Sequence, residues 1–233
     1  MQKTAYITGG YKGIGLGIAK ALLAEGYNVV ISGRNSEVLN AKVDQLDSQY
    51  PGKVLGMTSD VRDIHSLNTM ADKALKQWGS IDVVIANAGV GFFADVEEMS
   101  IEDWDETIAT NLNGVFYTLK ATLPALKASK GYFITIASLA GANFFPRGAA
   151  YNASKFGLVG FTQAAMLDLR KHGIKTTTIM PGSVATEFNN HTPGPEDEWK
   201  IQIEDIGQMV LDLLRMPERT LPSKIEVRPS FPK

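Results

Sequence analysis

Seven short, mostly apolar runs recur along the chain, separated by longer segments in which apolar and polar positions alternate at helical spacing. The runs are KTAYIT (3–8), YNVVIS (27–32), KVLGMTS (53–59), IDVVIA (81–86), GYFITIA (131–137), IKTTTIM (174–180) and KIEVRP (224–229). Several are apolar at nearly every position, as strands buried on both faces of a parallel sheet are. The segments near 13–25, 35–49, 63–78, 101–127, 151–171 and 203–215 predict amphipathic helices. In the first, Ile14, Leu16, Ile18, Ala19, Leu22 and Leu23 share one helical face, and Gly26 follows as a stop. Pro124 predicts a kink or an end late in the 101–127 helix. Regular alternation of strand and helix implies right-handed crossovers and helices on both faces of one sheet. The expected fold class is α/β: one domain over 1–233, built on a doubly wound, parallel, seven-stranded sheet. The stretch NNHTPGPEDEWK (189–200) is rich in turn formers and charge. It predicts a mobile excursion, with 187–202 serving as a short lid over a substrate.

Composition narrows the function classes. At 233 residues, 44% hydrophobic and 21% charged, the chain can bury one sizeable core. A net charge of −2 gives no basic field for nucleic acid or an anionic membrane surface. The chain has no cysteine, which excludes disulfides, thiolate nucleophiles and Cys-ligated metals. His65, His172 and His191 lack metal-ligand spacing, so no metal is expected. No apolar run approaches the roughly 18 residues of a membrane span. The start MQKTAYIT does not read as a signal peptide, and a cytoplasmic protein is expected.

The first run ends in TGGYKGIG, with Gly9, Gly13 and Gly15 spaced G-x-x-x-G-x-G before a helix. Glycines permit positive φ and close approach of a pyrophosphate, and a helix start offers unpaired N–H groups. The same residues could form a tight turn with no ligand. Position after the first strand favours dinucleotide binding. An NAD site usually places an acid at the end of the second strand, for the ribose 2′-OH. Here Ser32-Gly33-Arg34-Asn35 stands there, with no carboxylate before Glu37. Arg34 suits a 2′-phosphate, and Lys12 could supply a second cation. Both could instead be solvated surface charges. The missing acid beside two cations favours NADP(H) over NAD.

Tyr151 and Lys155 stand four residues apart, hence on one helix face. An ammonium near a phenol favours the phenolate, which would make Tyr151 a usable acid or base. Ser138, at the end of the fifth run, could hydrogen-bond a carbonyl oxygen. Tyr-x-x-x-Lys alone could be an ordinary helix face. Its order with the glycine loop, Asn87-Ala88-Gly89, Ser138 and Pro181-Gly182 matters more, because all fall where strands end and ligands bind in open α/β sheets.

Together TGGYKGIG, Asp60-Val61, Asn87-Ala88-Gly89, Asn111, Ser138, Tyr151-x-x-x-Lys155 and PGSVAT (181–186) resemble the short-chain dehydrogenase/reductase family and its Rossmann fold, over about 3 to 228. The resemblance implies roles. Tyr151 would be the general acid, Lys155 would bind the nicotinamide ribose and lower the tyrosine pKa, and Ser138 would polarise the carbonyl. Asn111 would hold a water linking Lys155 to a proton relay. Asp60 and Val61 would contact adenine, and Asn87 and Gly89 would pack beside the adenosine ribose. Ile14 and Thr186 would lie along the pyrophosphate, and Val184 would touch the carboxamide. The cofactor would carry the hydride.

The chain ends KIEVRPSFPK, without the glycine-rich DGG usual in 3-oxoacyl-carrier-protein reductases, and the lid is short. Its end is more similar to that of small carbonyl and alcohol dehydrogenases. Phe92, Phe93, Leu139, Ala140, Phe144, Phe145 and Phe188 predict a mostly apolar pocket, with Asn143 the exception; they could also be core. Arg147 lies near the same loop. The reading is an NADP(H)-dependent carbonyl reductase or alcohol dehydrogenase acting on a small molecule. Reduction of 3-oxoacyl thioesters is an alternative within the enzyme class. A non-catalytic NADP(H)-binding sensor is the alternative outside it. Small residues in FGLVGFTQAAML and an edge last strand would suit a homodimer or homotetramer.

Overall fold

A computed structural model describes residues 2–232. Its strands are β1 (Thr4–Ile7), β2 (Asn28–Gly33), β3 (Val54–Thr58), β4 (Val83–Ala86), β5 (Tyr132–Ile136), β6 (Lys175–Pro181) and β7 (Lys224–Val227). They form one parallel sheet in the order β3-β2-β1-β4-β5-β6-β7. The helices are α1 (Gly13–Ala24), α2 (Ser36–Gln49), α3 (Ile64–Trp78), α4 (Ile101–Ile108), α5 (Gly114–Ser129), α6 (Ala149–Leu169) and α7 (Ile203–Arg215).

Strand periodicity divides the core in two. Ala5 and Ile7 of β1 face one cluster with α1, α2 and α7, while Tyr6 faces another with α3, α5 and α6. Every residue of β1, β2, β4 and β5 is buried, which accounts for their unbroken apolar character. The edge strand β7 instead alternates between exposed and half-buried. Helix α7 lies close on α1 because glycines face each other. A Cβ on Gly207 would stand 2.7 Å from the Gly17 carbonyl oxygen.

The 101–127 segment differs from the expected single helix. Its break falls at Ala109–Asn113, a π turn joining α4 to α5, and not at Pro124. Helix α5 runs through Pro124 to Ser129. Pro124 and Lys120, the residue whose carbonyl loses its intrahelical donor, are both exposed, so water can serve that carbonyl.

The strand order reverses between β1 and β4, which are neighbours in the sheet. The loops leaving them diverge there and open a crevice at the carboxyl ends of the strands.

Candidate active site

That crevice is a cleft of about 1110 Å³. The loops after β1 and β4 are locked at its base. Thr8 Oγ1 accepts from the Asn87 and Ala88 N–H groups at 3.1 and 3.2 Å. Asn87 Nδ2 donates to the Thr8 and Gly9 carbonyls at 3.0 and 3.1 Å. Gly9 and Gly13 adopt φ of +65° and +52°, conformations that L side chains rarely take. Gly15 is buried below the loop and does not line the cleft; a Cβ there would stand 2.5 Å from the Gly9 carbonyl oxygen. Lys12 occupies the N-cap of α1 without capping it through its side chain, and α1 has no acid in its first turn. The positive end of the helix is thus left for an anion. This bare, uncapped cradle fits a pyrophosphate.

The far end of the cleft receives Tyr11, Ser32, Gly33, Arg34, Asp60 and Val61. The Arg34 guanidinium donates to Glu106 of α4 at 3.0 Å. Arg62 Nη2 approaches Asp60 at 2.6 Å, and Arg62 lies 3.9 Å from Glu106. Hydrogen bonding from Arg62 holds the Asp60 carboxyl below its ordinary range, against the opposing effect of partial burial. Sequence reading missed Tyr11, whose ring packs where a Gly33 Cβ would be; it also missed Glu106 and Arg62. No local spacing marks the last two, which lie behind the lining and hold Arg34 and Asp60 from α4 and from the loop after β3.

The other end gathers Ser138, Tyr151 and Lys155. Helix α6 begins at Ala149, earlier than expected, so Tyr151 sits in its first turn. Lys155 is buried and donates to the Ile136 carbonyl at 3.1 Å; burial lowers its pKa to about 8. Its ammonium stands 5.6 Å from the Tyr151 ring centroid. The Tyr151 phenol is raised above its ordinary value by burial, with the Ser138 hydroxyl pulling the other way. The expected lowering by Lys155 is not seen here: burial outweighs it, and the ammonium, 5.6 Å from the ring centroid, bonds the Ile136 carbonyl with one of its three protons. Ser138 Oγ accepts from the Ala140 N–H at 3.1 Å, leaving its proton to donate.

Asn111 lies behind this end and does not line the cleft. Its side chain bonds Val90 twice and donates to Ser154 Oγ at 3.0 Å, and Ser154 donates to the Tyr151 carbonyl at 2.8 Å. Asn152, missed by sequence reading, donates to the Ala140 and Asn143 carbonyls at 2.7 and 2.8 Å. It ties the Ser138 loop to α6, and its place between Tyr151 and Lys155 was the available signal.

Gly89, Pro181, Gly182, Val184 and Thr186 line the middle of the cleft. Phe92, Leu139, Asn143, Phe144 and Phe188 line its apolar mouth. Phe93 and Arg147 do not: the Phe93 ring packs tilted against Tyr151, with centroids 5.4 Å apart, and Arg147 reaches the Phe93 carbonyl at 3.5 Å. From the 187–202 segment, Phe188, His191, Trp199 and Lys200 face the cleft. Among the described residues, His191, Glu196 and Asp197 bring possible metal-ligand atoms within 4.8 Å of one another. The Asp197 carboxylate there already pairs with Lys200 and His191.

A doubly wound sheet with a glycine-lined cleft at its switch point defines a class, the dinucleotide-binding α/β proteins. The short chain dehydrogenase family matches residues 3–196, and the chain belongs to that family. An uncharacterized oxidoreductase of Staphylococcus aureus is 35% identical over 229 residues, covering 98% of this chain and 97% of its own length. A counterpart from Staphylococcus epidermidis is 33% identical over the same shares. An alcohol dehydrogenase from the archaeon Thermococcus sibiricus, complexed with 5-hydroxy-NADP, superposes with a TM-score of 0.93 at 30% identity. The match covers 100% of this chain and 99% of that one. A metagenomic short-chain oxidoreductase in complex with NADP gives 0.85 at 33% identity, covering 99% and 98%. The chain is thus an oxidoreductase of this family, and among the described residues no helix is long and apolar enough to cross a membrane.

Proposed function

We propose that the protein is an NADP(H)-dependent reductase of small carbonyl compounds, running reversibly as an alcohol dehydrogenase. One observation carries this reading. Ser138, Tyr151 and Lys155 converge at the apolar end of the same cleft whose other end holds the glycine cradle and Arg34. The NADP complexes of the similar structures support the choice of cofactor.

The bound cofactor supplies the hydride to the carbonyl carbon, or takes it back from the alcohol. The protein does the rest. Gly9, Gly13 and the α1 N-terminus hold the pyrophosphate, and Arg34 with Lys12 meets the 2′-phosphate. Ser138 donates its free proton to the carbonyl oxygen, drawing electron density away from the carbon. Tyr151, kept protonated at neutral pH by burial, transfers its proton to that oxygen as the alcohol forms. Lys155 lies close enough to stabilise the phenolate left behind. Leu139, Phe92 and Phe188 exclude water. The 187–202 segment acts as the lid, the active chain is a homodimer or homotetramer, and it works in the cytoplasm.

The test is NADPH oxidation by the purified protein with aldehydes, diketones, keto esters and a 3-oxoacyl thioester. Turnover of small carbonyls supports the reading. Preference for the thioester would move the assignment to acyl reduction. NADPH binding without turnover of any substrate would favour the sensor.

A further inference from the structure

Gly91 follows the Asn87-Ala88-Gly89 loop and lines the cleft. It is not among the glycines with positive φ, so its backbone would accept any L residue. What forbids a side chain is the space above it. A Cβ on Gly91 would stand 2.5 Å from Phe188 Cζ, and 3.0 Å from both Phe188 Cε1 and Phe93 Cε2. The Phe188 ring therefore rests on bare backbone. Its centroid lies 5.7 Å from that of Tyr151 and 6.4 Å from that of Phe93, and Phe93 lies 5.4 Å from Tyr151. Phe145 extends the group, 6.0 Å from Phe93.

The Phe188 ring is also held from its own side. Its N–H donates to Thr186 Oγ1 at 3.3 Å. Asn189 and Asn190 follow in the left-handed region, at φ of +55° and +59°, and turn the chain back across the cleft. Asparagine is the non-glycine residue that takes this conformation most readily, so the sequence itself favours the turn. The Phe188 ring beside the Tyr151 ring thus packs on a floor that is a glycine without a side chain.

We infer that Gly91 and Phe188 set the substrate class, selecting carbonyl compounds in which a planar aromatic ring adjoins the carbonyl. The inference rests on the reductase reading of this cleft. A flat ring can lie against Phe188 with its carbonyl turned toward Ser138 and Tyr151, and the tilted rings already present offer the edge and face geometry that aromatic pairs favour. A puckered saturated ring of the same size presents no such face. Aromatic pairing beyond plain area burial corresponds to a preference of about two- to tenfold.

The test compares benzaldehyde with cyclohexanecarbaldehyde, which differ in planarity and in conjugation of the carbonyl, so the readout is the change in their efficiency ratio from the native protein to Phe188→Ala and Gly91→Ala. Gly91→Ala keeps the ring but displaces it. In parallel, benzyl alcohol and cyclohexylmethanol are titrated calorimetrically against the NADP-loaded Tyr151→Phe protein, with and without the Phe188 change. The planar-to-saturated ratio in kcat/KM should be about two- to tenfold higher in the native protein than in either variant. Both variants should lose that preference through KM, with NADP affinity unchanged. A ratio that both substitutions leave unchanged overturns the inference and leaves the reductase reading standing. Tighter, Phe188-dependent binding of benzyl alcohol without any aldehyde turnover upholds the ring site and overturns the reductase reading. Equal binding of the two alcohols counts against the ring site.

Discussion

Asn111 and Val90 are bonded in both directions: Oδ1 accepts from the Val90 N–H and Nδ2 donates to the Val90 carbonyl, each at 2.8 Å. The side chain pairs with the main chain as a neighbouring strand would, where no strand is present. Because Nδ2 also reaches Ser154, one buried amide joins the loop after β4 to the helix that carries Tyr151. Asn111→Ala removes three hydrogen bonds and leaves two backbone groups of Val90 unpaired. The expected loss is roughly 2–4 kcal/mol of stability, read by urea unfolding. Turnover should fall more than NADPH affinity, since Tyr151 loses its register while the glycine cradle keeps its shape. Unchanged stability would mean that the Val90 loop is held by something else.

Lys155 gives a pH test. Its pKa drops from its ordinary 10.5 to about 8 through burial. Below about pH 8 both the folded and the unfolded chain carry the charge, and folding suffers the full penalty of burying it. Between about 8 and 10.5 the unfolded chain binds more protons at this site, so its contribution to stability rises with pH. Lys155→Met removes that penalty, on the order of 3 kcal/mol, but also the bond to the Ile136 carbonyl, worth about 1–3 kcal/mol, so it should be only modestly the more stable protein at pH 7. The gap should close as pH climbs through that window. Paired unfolding curves at pH 7 and 10 check this, and a gap independent of pH would contradict it.

The glycine loop and the Tyr151–Lys155 pair were legible because each needs only one local element: a strand running into a helix, or one turn of α6. The same holds for the strands, whose unbroken apolar runs reflect burial on both faces. What escaped depends on approach between distant segments. Arg34 and Glu106 are 72 residues apart, and Phe188 meets Gly91 only after the lid has folded back. The π turn escaped for a different reason. One extra residue shifts the apolar pattern by a single position and ATNLN holds no Gly or Pro to mark it, whereas Pro124 is conspicuous in sequence and harmless on an exposed face. The roles of Asn111 and Lys155 were named by resemblance, but their bonds to Val90 and Ile136 needed coordinates.

On the reading proposed above, Arg34 sets the preference for NADPH over NADH. Its guanidinium is held by Glu106, so a 2′-phosphate must share or displace that carboxylate. Arg34→Asp should reduce the ratio of NADPH to NADH efficiency by about 10–100-fold, the worth of a charge-assisted contact. Glu106→Gln should act in the opposite sense and tighten NADPH severalfold in a fluorescence titration. A ratio indifferent to Arg34→Asp would remove the 2′-phosphate from this corner of the cleft.

Asp197 anchors the 187–202 segment, the lid of the proposed function. It is 3% exposed and accepts from Lys200 and His191, each at 2.5 Å, and from the Gly194 N–H at 3.3 Å. Lys200 first, then His191, holds its carboxyl at about 2. A depressed carboxyl contributes stability that is complete above its unfolded value and lost as pH falls through the folded one. The anchor therefore stays charged across the neutral range and fails only in strong acid. Asp197→Asn keeps the shape and removes the charge. Protease cutting between 191 and 200 should quicken, and KM for the carbonyl should rise, because Phe188 and Trp199 are carried at the two ends of this loop. Global unfolding should move little, since the loop lies outside both halves of the core. If cutting stays slow and KM is unaltered, the lid is fixed by its turns and by the Val184–Ile201 bridge, and the buried carboxylate is dispensable.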